Sequence, residues 1–479
     1  MNAISTDLII LLPELIVACS ALLLLLVGAL MGERMAGLIS WAGVVVLALS
    51  AYFVATGSAS AVAFHGAFVV DGFSQFAKQL ILLGSALTLL MSRGFMSDAK
   101  LMRFEFPVLV LLSTCGMMLM VSSANFISLY MGLELQSLCL YVLASFNRDN
   151  VRSSEAGMKY FVLGALSSGM MLYGITWIYG FTGSTEFSTI AHVVQVGTVS
   201  VGLIVGIVFL IAGLAFKVSA VPFHMWTPDV YEGAPTPITG FLAMAPKVAA
   251  MALFLRAMVV PFPHIQSQWQ QVIIFISAAS MLLGSFAAIG QSNIKRLMAY
   301  SSIGHMGYAL LGLVAGSVIG FKGVLIYLTV YLISNAGVFV VIMSRKRYGK
   351  QLETISDLAG LSRTQPRLAF AFAALMISLA GIPPLAGFWA KFYVFLAVIE
   401  AGQYWLAVLG VLTSVVGAYY YWRIVKVMYF DEPAQPFDGK LGLVNGLILT
   451  GVAAFTLLFV VFGGPLIASA GAAAATLVP

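Results

Sequence analysis

Four ionisable side chains lie where a membrane-spanning helix would normally be apolar. Lys217, Lys247 and Lys391 stand inside long apolar runs, and Glu134 stands in the middle of FISLYMGLELQSLCLYVLASF. A lysine at the centre of a membrane helix costs about 2.5–3.5 kcal/mol on insertion scales, so three unpaired lysines would cost about 8–10 kcal/mol. That is comparable to the stability of a whole domain, so a charge partner or a function is expected. We predict a functional role for these four groups, with structural pairing of the charges as the alternative and Glu134 as the natural partner of a buried lysine.

Two histidines and a Glu–Lys pair extend this set of titratable groups. His224 follows the apolar run that contains Lys217, and His305 lies in SSIGHMGYALLG. An imidazole titrates near neutral pH, so each histidine is a candidate proton relay, although a lone histidine in a membrane also serves as a helix–helix hydrogen bond. Glu155 and Lys159 have the i, i+4 spacing of a helical ion pair. This pair is therefore either a local salt bridge or the place where protons are taken up.

The remaining ionisable and thiol groups carry weaker signals. Lys78 is expected to snorkel from near the outer end of its helix, and Glu14 is expected at the membrane interface. Cys19, Cys115 and Cys139 lie in apolar runs without the CxxC spacing of a metal or redox site, so we interpret them as core residues. The sequence shows no histidine pair with metal-ligand spacing, no phosphate-binding glycine loop and no nucleophile–base set. We therefore expect no metal or cofactor in this chain.

The elements that position these residues are predicted from composition. Of 479 residues, 61% are hydrophobic and 9% are charged, and the mean hydropathy is +1.02, whereas soluble domains have about 25% charged residues. Apolar runs of about 20 residues recur along the chain, each long enough to cross the bilayer as a helix, and they do not alternate as barrel strands do. We predict an all-α polytopic membrane protein that forms a single membrane domain over 1–479. The formal charge of +6 does not indicate nucleic-acid binding, because membrane topology explains its distribution.

Fourteen transmembrane helices are predicted near 8–31, 36–56, 73–91, 106–121, 124–146, 156–180, 199–220, 236–258, 270–290, 296–316, 323–344, 368–398, 404–428 and 441–467. The loops on one side, together with the helix ends beside them, hold 17 of the 24 basic residues. The positive-inside rule places that side in the cytoplasm, so both termini are predicted to be periplasmic in a multi-pass protein of the bacterial inner membrane. The longest loop, 345–367, is predicted to be a basic cytoplasmic segment.

Prolines interrupt the chain beside two of the central lysines. Pro222 follows Lys217 just beyond the end of predicted helix 7, and Pro383 and Pro384 precede Lys391 in predicted helix 12. Proline removes a backbone hydrogen bond and leaves carbonyl groups that protein or water must satisfy. The two helices are five positions apart and so run in opposite directions, which predicts an inverted repeat of helices 4–8 and 9–13 with discontinuous helices 7 and 12. The two halves cover 104–258 and 270–428.

Three long segments carry a resemblance to a known family. The chain resembles the N-subunit family of bacterial proton-pumping NADH–quinone oxidoreductase, respiratory complex I, in FKVSAVPFHMWTPDVYEGAPTPITGFLAMAPKVA (216–249), NIKRLMAYSSIGHMGY (293–308) and GIPPLAGFWAKFYVF (381–395). The resemblance covers essentially the whole chain. The related L and M subunits and the Mrp-type cation/proton antiporters share the interrupted helices and central charges. Their helix 7–8 segment looks more like a Lys-Ser-Ala…Leu-His-Thr-Trp-Leu-Pro pattern, and a lysine in predicted helix 12 argues against the M subunit.

This resemblance implies a proton path. The path would run through Glu134 and Lys217 in the first half-channel and through Lys247 near the middle. It would continue through the His305 region to Lys391 in the second half-channel. The accessory groups would be His224, Glu155 and Lys159. The chain would then be a membrane subunit of an H⁺-translocating NADH:quinone oxidoreductase with no redox centre of its own.

The resemblance also implies partners. FMN, iron–sulfur clusters and quinone would belong to partner subunits, and the direct partners would be other membrane subunits, including related antiporter-like ones, together with lipids, water and protons. Redox chemistry in the partners would supply the driving energy, because moving a proton against the membrane potential costs about 2.3 kcal/mol per 100 mV. Three other functions stay open from the sequence. They are an Mrp-type cation/proton antiporter subunit, a small-molecule carrier, and a structural membrane subunit without its own proton path.

Overall fold

The chain folds into helices with two small hairpins. The computed structural model describes residues 3–197, 199–435, 437–439 and 441–478. Lys440, counted above among the basic residues of the cytoplasmic side, lies outside the described residues. The helices of the first part are α1 (Ala3–Ile10), α2 (Leu12–Met31), α3 (Ala36–Thr56), α4 (Gly72–Asp98), α5 (Glu105–Val121), α6 (Phe126–Ala144), α7 (Val151–Thr182) and α8 (Phe187–Val196).

The central and final parts continue this helical order. The central helices are α9 (Val201–Val218), α10 (Trp226–Gly233), α11 (Thr236–Ala243), α12 (Ala245–Val259), α13 (Gln266–Ile289), α14 (Ile294–Ala315) and α15 (Val318–Ser344). The final helices are α16 (Leu361–Thr364), α17 (Pro366–Ala380), α18 (Ala386–Glu400), α19 (Tyr404–Phe430), α20 (Leu443–Phe462) and α21 (Gly464–Ala475). The strands β1 (Ala61–Ala63) and β2 (Phe68–Val70) pair antiparallel, as do β3 (Lys346–Arg347) and β4 (Lys350–Gln351).

The predicted membrane character is confirmed. Within the described residues, twelve helical segments are long and apolar enough to cross a bilayer by length and composition, and α5 and α17 are apolar but shorter. The chain is therefore an all-α membrane protein. Many predicted boundaries agree closely with the structure, such as 36–56 for α3 and 106–121 for α5.

Some predicted helices are divided in the structure. The run 8–31 is split between α1 and α2, where Pro13 lies at the start of the second helix. The run 236–258 is split between α11 and α12 at Met244, whose φ of −109° and ψ of −97° are not helical, and Pro246 lies at the start of α12. Proline is tolerated in the first turn of a helix because the missing N–H would have had no partner there. Hydropathy alone therefore predicted one helix where the structure has two, because the apolar run continues through the break.

The central helices form the core of the molecule. The segments that contain α12, α14 and α15 are almost completely enclosed by other helices, whereas α2 and α20 lie at the periphery. The closest helix pairs include α13 with α14, α7 with α9 and α5 with α6. Lys247 on α12 and His305 on α14 are consequently surrounded by protein on all sides.

A buried ion pair joins α2 to α4. The Nζ atom of Lys78 lies 2.6 Å from Oε1 of Glu14, and the two residues are only 2% and 1% exposed. The ammonium group also lies 4.8 Å from the centre of the Phe68 ring. The prediction that Lys78 snorkels is therefore wrong, and the interfacial position predicted for Glu14 stays a prediction. The reason is tertiary, because α2 and α4 both pack against α3 and α5 and so bring the two charges together.

The segment 345–367 folds over one end of α14. It contains the β3–β4 hairpin and the short helix α16. Glu353 from this segment lies 2.7 Å from the Nζ atom of Lys295, and its carbonyl oxygen accepts a hydrogen bond of 2.8 Å from the N–H of Ile294. The Arg345 guanidinium is fully buried and donates to the carbonyl oxygen of Thr354. The basic loop is thus an ordered cap on the first turn of α14.

Candidate functional site

The chain between α9 and α10 leaves the helical conformation at residues 219–225. Ser219 has a left-handed φ of +61°, and Pro222 follows it in the non-helical segment. The N–H of Val221 donates to the hydroxyl of Ser280 at 2.8 Å. The last turn of α9 therefore ends inside the protein, where its free carbonyl groups need donors from neighbouring elements.

Lys217 lies in the last turn of α9, with its side chain directed to α6. Its Nζ atom donates to the hydroxyl of Ser137 at 2.8 Å and to the hydroxyl of Tyr141 at 3.4 Å. Both partners are neutral hydroxyl groups, so neither one neutralises the positive charge of the Lys217 ammonium. Lys217 is therefore held by polar groups of α6 within an apolar surrounding.

Glu134 lies on the same face of α6, one turn before Ser137. It is half-buried, and its Oε1 atom accepts a 2.5 Å hydrogen bond from the hydroxyl of Ser168 on α7. No ion pair within 4.0 Å joins Glu134 to Lys217 in the described residues. One face of α6 therefore carries both Glu134 and Ser137, and the Lys217 ammonium from α9 binds the serine hydroxyl rather than the carboxylate.

Lys247 reaches from α12 to the end of α9. Its Nζ atom donates to the carbonyl oxygen of Val218 at 3.0 Å and to the hydroxyl of Ser219, and it lies 5.4 Å from the centre of the Trp226 ring. A helix C-terminus carries partial negative charge from its unpaired carbonyl groups, which favours a cation. The lysine whose ammonium occupies the break after α9 is therefore Lys247, and Lys217 is bound elsewhere.

Lys391 makes the corresponding contact at the break between α17 and α18. Its Nζ atom donates to the carbonyl oxygen of Ala380 at 3.0 Å and to the hydroxyl of Ser414 at 2.6 Å. It also lies 4.8 Å from the centre of the Tyr308 ring. α17 ends at Ala380, and α18 begins at Ala386. The two breaks therefore share one arrangement, in which a lysine binds a helix-end carbonyl and a serine hydroxyl.

The residues that form the second break explain its shape. Gly381 has a φ of +88°, which is unstrained only for glycine, and Pro383 and Pro384 follow it. The N–H of Gly387 then donates to the hydroxyl of Ser378 at 2.9 Å, which ties the start of α18 back onto the end of α17. Lys391, one turn into α18, is thereby brought to the free carbonyl of α17.

The Gly387→Ala variant is expected to lose stability by about 3 kcal/mol or more, at the severe end of overpacking changes. A Cβ atom at this position would lie 1.8 Å from the backbone oxygen of Ser378, so α18 would have to move away from α17. The measurement is the thermal midpoint and the yield of assembled complex. Gly169→Ala is the matched control, since nothing lies within 4 Å of a Cβ atom there. Equal behaviour of the two variants would contradict the expected close approach.

His305 lies between two tyrosines in the enclosed core. Its Nδ1 atom is 2.6 Å from the hydroxyl of Tyr327, and its Nε2 atom is 2.9 Å from the hydroxyl of Tyr421. His224 lies in the non-helical segment after α9 and is half-buried, and its Nδ1 atom has no hydrogen-bond partner within the described residues. Of the two predicted relay histidines, only His305 is bonded on both ring nitrogens.

The predicted Glu155–Lys159 pair is part of a larger charged cluster. Lys159 Nζ lies 2.7 Å from a carboxylate oxygen of Glu155 and 2.7 Å from one of Asp229 on α10. Asp229 also accepts from Arg296 at 2.8 Å, and Arg296 reaches Glu232 at 3.0 Å. The local ion pair is confirmed, and it is joined to the first turn of α14 through Asp229.

This charged cluster surrounds a cavity that is large enough to hold several water molecules. The cavity has a volume of about 220 Å³ and is lined by Arg152, Glu155, Ala156, Lys159, Asp229, Glu232 and Gly233. Partial burial by itself would raise the pKa of Asp229, but hydrogen bonds and charges from Lys159 and Arg296 hold its pKa below the usual value. Asp229 therefore stays ionised beside two cations at neutral pH.

The described residues offer no group for metal binding. They contain no cluster of three or more His, Cys, Asp or Glu residues with metal-binding geometry. Cys115 and Cys139 are buried free thiols, and Cys19 is an exposed one. The polar groups of the site are arranged as hydroxyl, carbonyl, imidazole and amine partners, which suits proton transfer along hydrogen bonds.

Several contacts of the candidate site were not predicted from the sequence. Ser137 and Tyr141 lie three and seven residues after Glu134, so the helical period could have placed them on its face. Asp229 lies close to Pro222 but carries no spacing signal toward Lys159, because the two are 70 residues apart. The serines and tyrosines that bond to Lys247, Lys391 and His305 come from other elements of the fold, and no sequence spacing predicts them.

Comparisons with known proteins agree with this geometry. The family described as NADH:quinone oxidoreductase/Mrp antiporter, TM matches residues 123–417. The NADH-quinone oxidoreductase subunit N of Parvibaculum lavamentivorans is 58% identical over 100% of this chain and 100% of that protein. The subunit N of Rhodospirillum rubrum is 55% identical over 97% of this chain and 96% of that protein.

Solved structures show the same fold. A chain of respiratory complex I from Thermus thermophilus with bound aureothin has a TM-score of 0.83 and 33% identity, with 96% of this chain and 99% of that chain covered. A chain of the Mrp complex from Dietzia sp. DQ12-45-1b has a TM-score of 0.84 at 23% identity, covering 97% of both chains, and shows likeness of fold alone. Because its full-length relatives are subunit N proteins and the family match spans more than half of its length, this chain belongs to the subunit N family of NADH-quinone oxidoreductase.

Proposed function

We propose that this chain, an antiporter-like subunit of NADH-quinone oxidoreductase, carries protons along a path of buried amines, hydroxyls and an imidazole. The path follows Glu134, Lys217, Lys247, His305 and Lys391. Redox chemistry in partner subunits drives the movement, because each proton moved against the membrane potential costs about 2.3 kcal/mol per 100 mV. The chain itself acts as a translocase subunit of the enzyme.

The contacts of the three buried lysines carry this proposal. Lys217, Lys247 and Lys391 are 8%, 1% and 7% exposed, and none forms an ion pair within 4.0 Å in the described part of the chain. Each instead binds at least one hydroxyl group. A hydroxyl accepts from a charged ammonium and donates to a neutral amine, so both protonation states find a partner. A directly paired carboxylate would favour the charged state alone.

Glu134 is the switch in this scheme. In the structure its carboxylate is held by Ser168, away from the Lys217 ammonium. Movement of Glu134 toward Lys217 would favour the charged lysine, and its return to Ser168 would favour release of the proton toward Lys247. The breaks at Pro222 and at Pro383–Pro384 supply free backbone groups that hold the lysines and orient water between them.

The charged cluster at α7 and α10 serves proton uptake. Glu155 and Lys159 take up protons from the cytoplasm, with Asp229 as a further member of the site, and His224 is a relay between this cluster and the first break. The support is the cavity of about 220 Å³ that opens among these carboxylates and the lysine. His224 is included because its Nδ1 atom is buried without a partner in the described residues, which leaves that nitrogen free to form a further hydrogen bond.

The proposed topology has fourteen transmembrane helices. In it, α5 and the α17–α18 pair also cross the membrane, and predicted helices 4–8 and 9–13 form the inverted repeat over 104–258 and 270–428. Both termini lie on the periplasmic side of the inner membrane, and 345–367 is cytoplasmic. The shared lysine–carbonyl–serine arrangement at the two breaks supports two related halves. FMN, iron–sulfur clusters and quinone are assigned to partner subunits, and related antiporter-like subunits are the membrane neighbours.

The test is Lys217→Ala and Glu134→Ala in the purified complex, reconstituted in vesicles with NADH and a quinone. Removal of a positioned proton donor or acceptor slows transfer by about 10²–10⁴-fold, so pumping driven by NADH is expected to collapse while the complex still assembles. Proton uptake and NADH oxidation are measured together, and subunit content is checked on the same preparation.

Lys322→Ala is the matched control, because Lys322 lies outside the path and its Nζ atom lies 5.4 Å from the centre of the Tyr393 ring. Wild-type pumping by Lys217→Ala and Glu134→Ala would overturn the proposal and favour a structural subunit. Sodium–proton exchange by the isolated chain without NADH or quinone would favour an Mrp-type antiporter instead.

A further inference from the structure

The hydrogen bonds around His305 form a continuous chain across three helices. On α14, Ser301 and His305 are four residues apart and share one face. The hydroxyl of Ser301 is 2.5 Å from the hydroxyl of Tyr421 on α19, which is 2.9 Å from Nε2 of His305. On the other side, Nδ1 of His305 is 2.6 Å from the hydroxyl of Tyr327 on α15. Four side chains are thus linked by three hydrogen bonds.

All four members of this chain are buried. A buried histidine needs one hydrogen-bond partner on each ring nitrogen. For His305 both partners are hydroxyl groups, and a hydroxyl can either donate or accept a hydrogen bond. Neither tyrosine therefore fixes which nitrogen carries the proton. The two tautomers of neutral His305 have equivalent sets of partners.

The neighbouring tyrosines show that this arrangement is selective. Tyr331 lies with its ring centre 5.3 Å from that of His305, but its hydroxyl donates to Ser302 at 2.9 Å. Tyr308 lies 6.3 Å from the imidazole between ring centres, and its hydroxyl donates to Thr413 at 3.1 Å. Four tyrosines therefore surround the histidine, and only Tyr327 and Tyr421 direct their hydroxyls to its nitrogens.

We propose that Tyr327 and Tyr421 are direct proton-transfer partners of His305, so that the proton crosses this part of the chain through Ser301, Tyr421, His305 and Tyr327 in series. This inference rests on the proposed function. A proton passed from the Tyr421 hydroxyl to Nε2 is matched by loss of the Nδ1 proton to Tyr327. The Ser301 hydroxyl replaces the proton that Tyr421 gave up, and Tyr327 releases its own hydroxyl proton as it accepts the one from Nδ1. One proton enters and one leaves, and the imidazole ends neutral as the other tautomer. Transfer in the opposite direction uses the same bonds.

The test uses Tyr327→Phe, Tyr421→Phe and their double variant in the intact complex, reconstituted in vesicles. Each substitution keeps the ring and removes one hydroxyl. Pumping driven by NADH is expected to fall by about tenfold or more, a modest part of the about 10²–10⁴-fold that positioned proton carriers contribute. Tyr331→Phe is the matched control, since it removes a hydroxyl beside the same imidazole that does not bond to it, and wild-type pumping is expected.

Two further readouts separate transfer from packing. In a series relay, the double variant should pump no more slowly than the slower single variant, whereas independent structural defects should multiply. The solvent deuterium isotope effect on pumping should rise in Tyr327→Phe and Tyr421→Phe and stay unchanged in Tyr331→Phe. The relay would be overturned if the losses of pumping in the two single variants multiplied in the double variant and the isotope effect stayed unchanged.

The outcome is also separable from that of the wider proposal. Wild-type pumping by Tyr327→Phe and Tyr421→Phe, combined with a collapse in Lys217→Ala, would remove the tyrosines from the path and leave proton transport by this subunit standing. Wild-type pumping by all three variants would remove the proposed function itself.

Discussion

A complex that carries Lys391→Arg is expected to assemble normally but to pump protons at about 1% of the wild-type rate or less, the loss typical of a missing proton carrier. An arginine stays charged in proteins and cannot release a proton, whereas a lysine can. The carbonyl oxygen of Ala380 and the hydroxyl of Ser414 can accept from a guanidinium as they do from the ammonium. The variant therefore keeps a positive charge at the break but removes the side chain's ability to release a proton.

The surroundings of Lys391 leave space for this change. A cavity of about 370 Å³ lies beside the side chain between α18 and α19. Lys247 is less suited to the same test, because it is fully enclosed between α12 and the end of α9. The measurement is proton uptake per NADH oxidised, with Lys322→Arg as the control outside the path. Pumping by Lys391→Arg close to the wild-type rate would show that a fixed charge is sufficient and would support a structural role.

Breaking the Glu14–Lys78 pair is expected to destabilise the protein by about 3–5 kcal/mol, the cost of leaving one partner of a buried ion pair alone. The two single variants should differ. A cavity of about 400 Å³ is lined by Lys78, so water can reach the lysine when its partner is removed in Glu14→Leu. Glu14 is 1% exposed, so Lys78→Met leaves the less hydrated charge and should cost more.

The measurement for this pair is a double-mutant cycle on thermal stability. The double variant Glu14→Leu with Lys78→Met removes both charges and should be more stable than either single variant, because apolar replacements of a buried pair are often neutral. Additive losses in the double variant would contradict a direct interaction between the two charges. Pumping by the double variant is expected to match the wild type, since neither residue belongs to the proposed path.

The helical membrane fold could be predicted because its cause is local. A run of apolar residues in a bilayer must satisfy its own backbone hydrogen bonds, and a helix does so within the run itself. The prediction of α3 at 36–56 therefore agrees with the structure to the residue. The breaks at Met244 and after Ile10 were missed, since an apolar run that bends stays apolar. The interruptions near Pro222 and near Pro383–Pro384 could be predicted, because proline lacks the backbone N–H that a helix needs, whatever its neighbours are.

The site could be predicted only as a set of residues. The insertion cost of a charge in an apolar run marked Lys217, Lys247 and Lys391 without any knowledge of their neighbours. The same argument predicted a direct partnership of Glu134 with Lys217, and the structure instead shows hydroxyl groups on the ammonium. For Lys78, the position near a helix end predicted snorkelling, and the structure instead shows an ion pair with Glu14, 64 residues earlier in the chain.

By itself, the sequence determined that this protein is a helical membrane protein and which titratable groups stand inside its apolar runs. Only the tertiary structure decided which group each of them meets. Lys247 from α12 occupies the end of α9, and His305 lies between hydroxyls from α15 and α19. The physical reason is that desolvation cost and backbone hydrogen bonding belong to one segment of chain. A hydrogen bond between helices depends on their packing, which no single segment encodes.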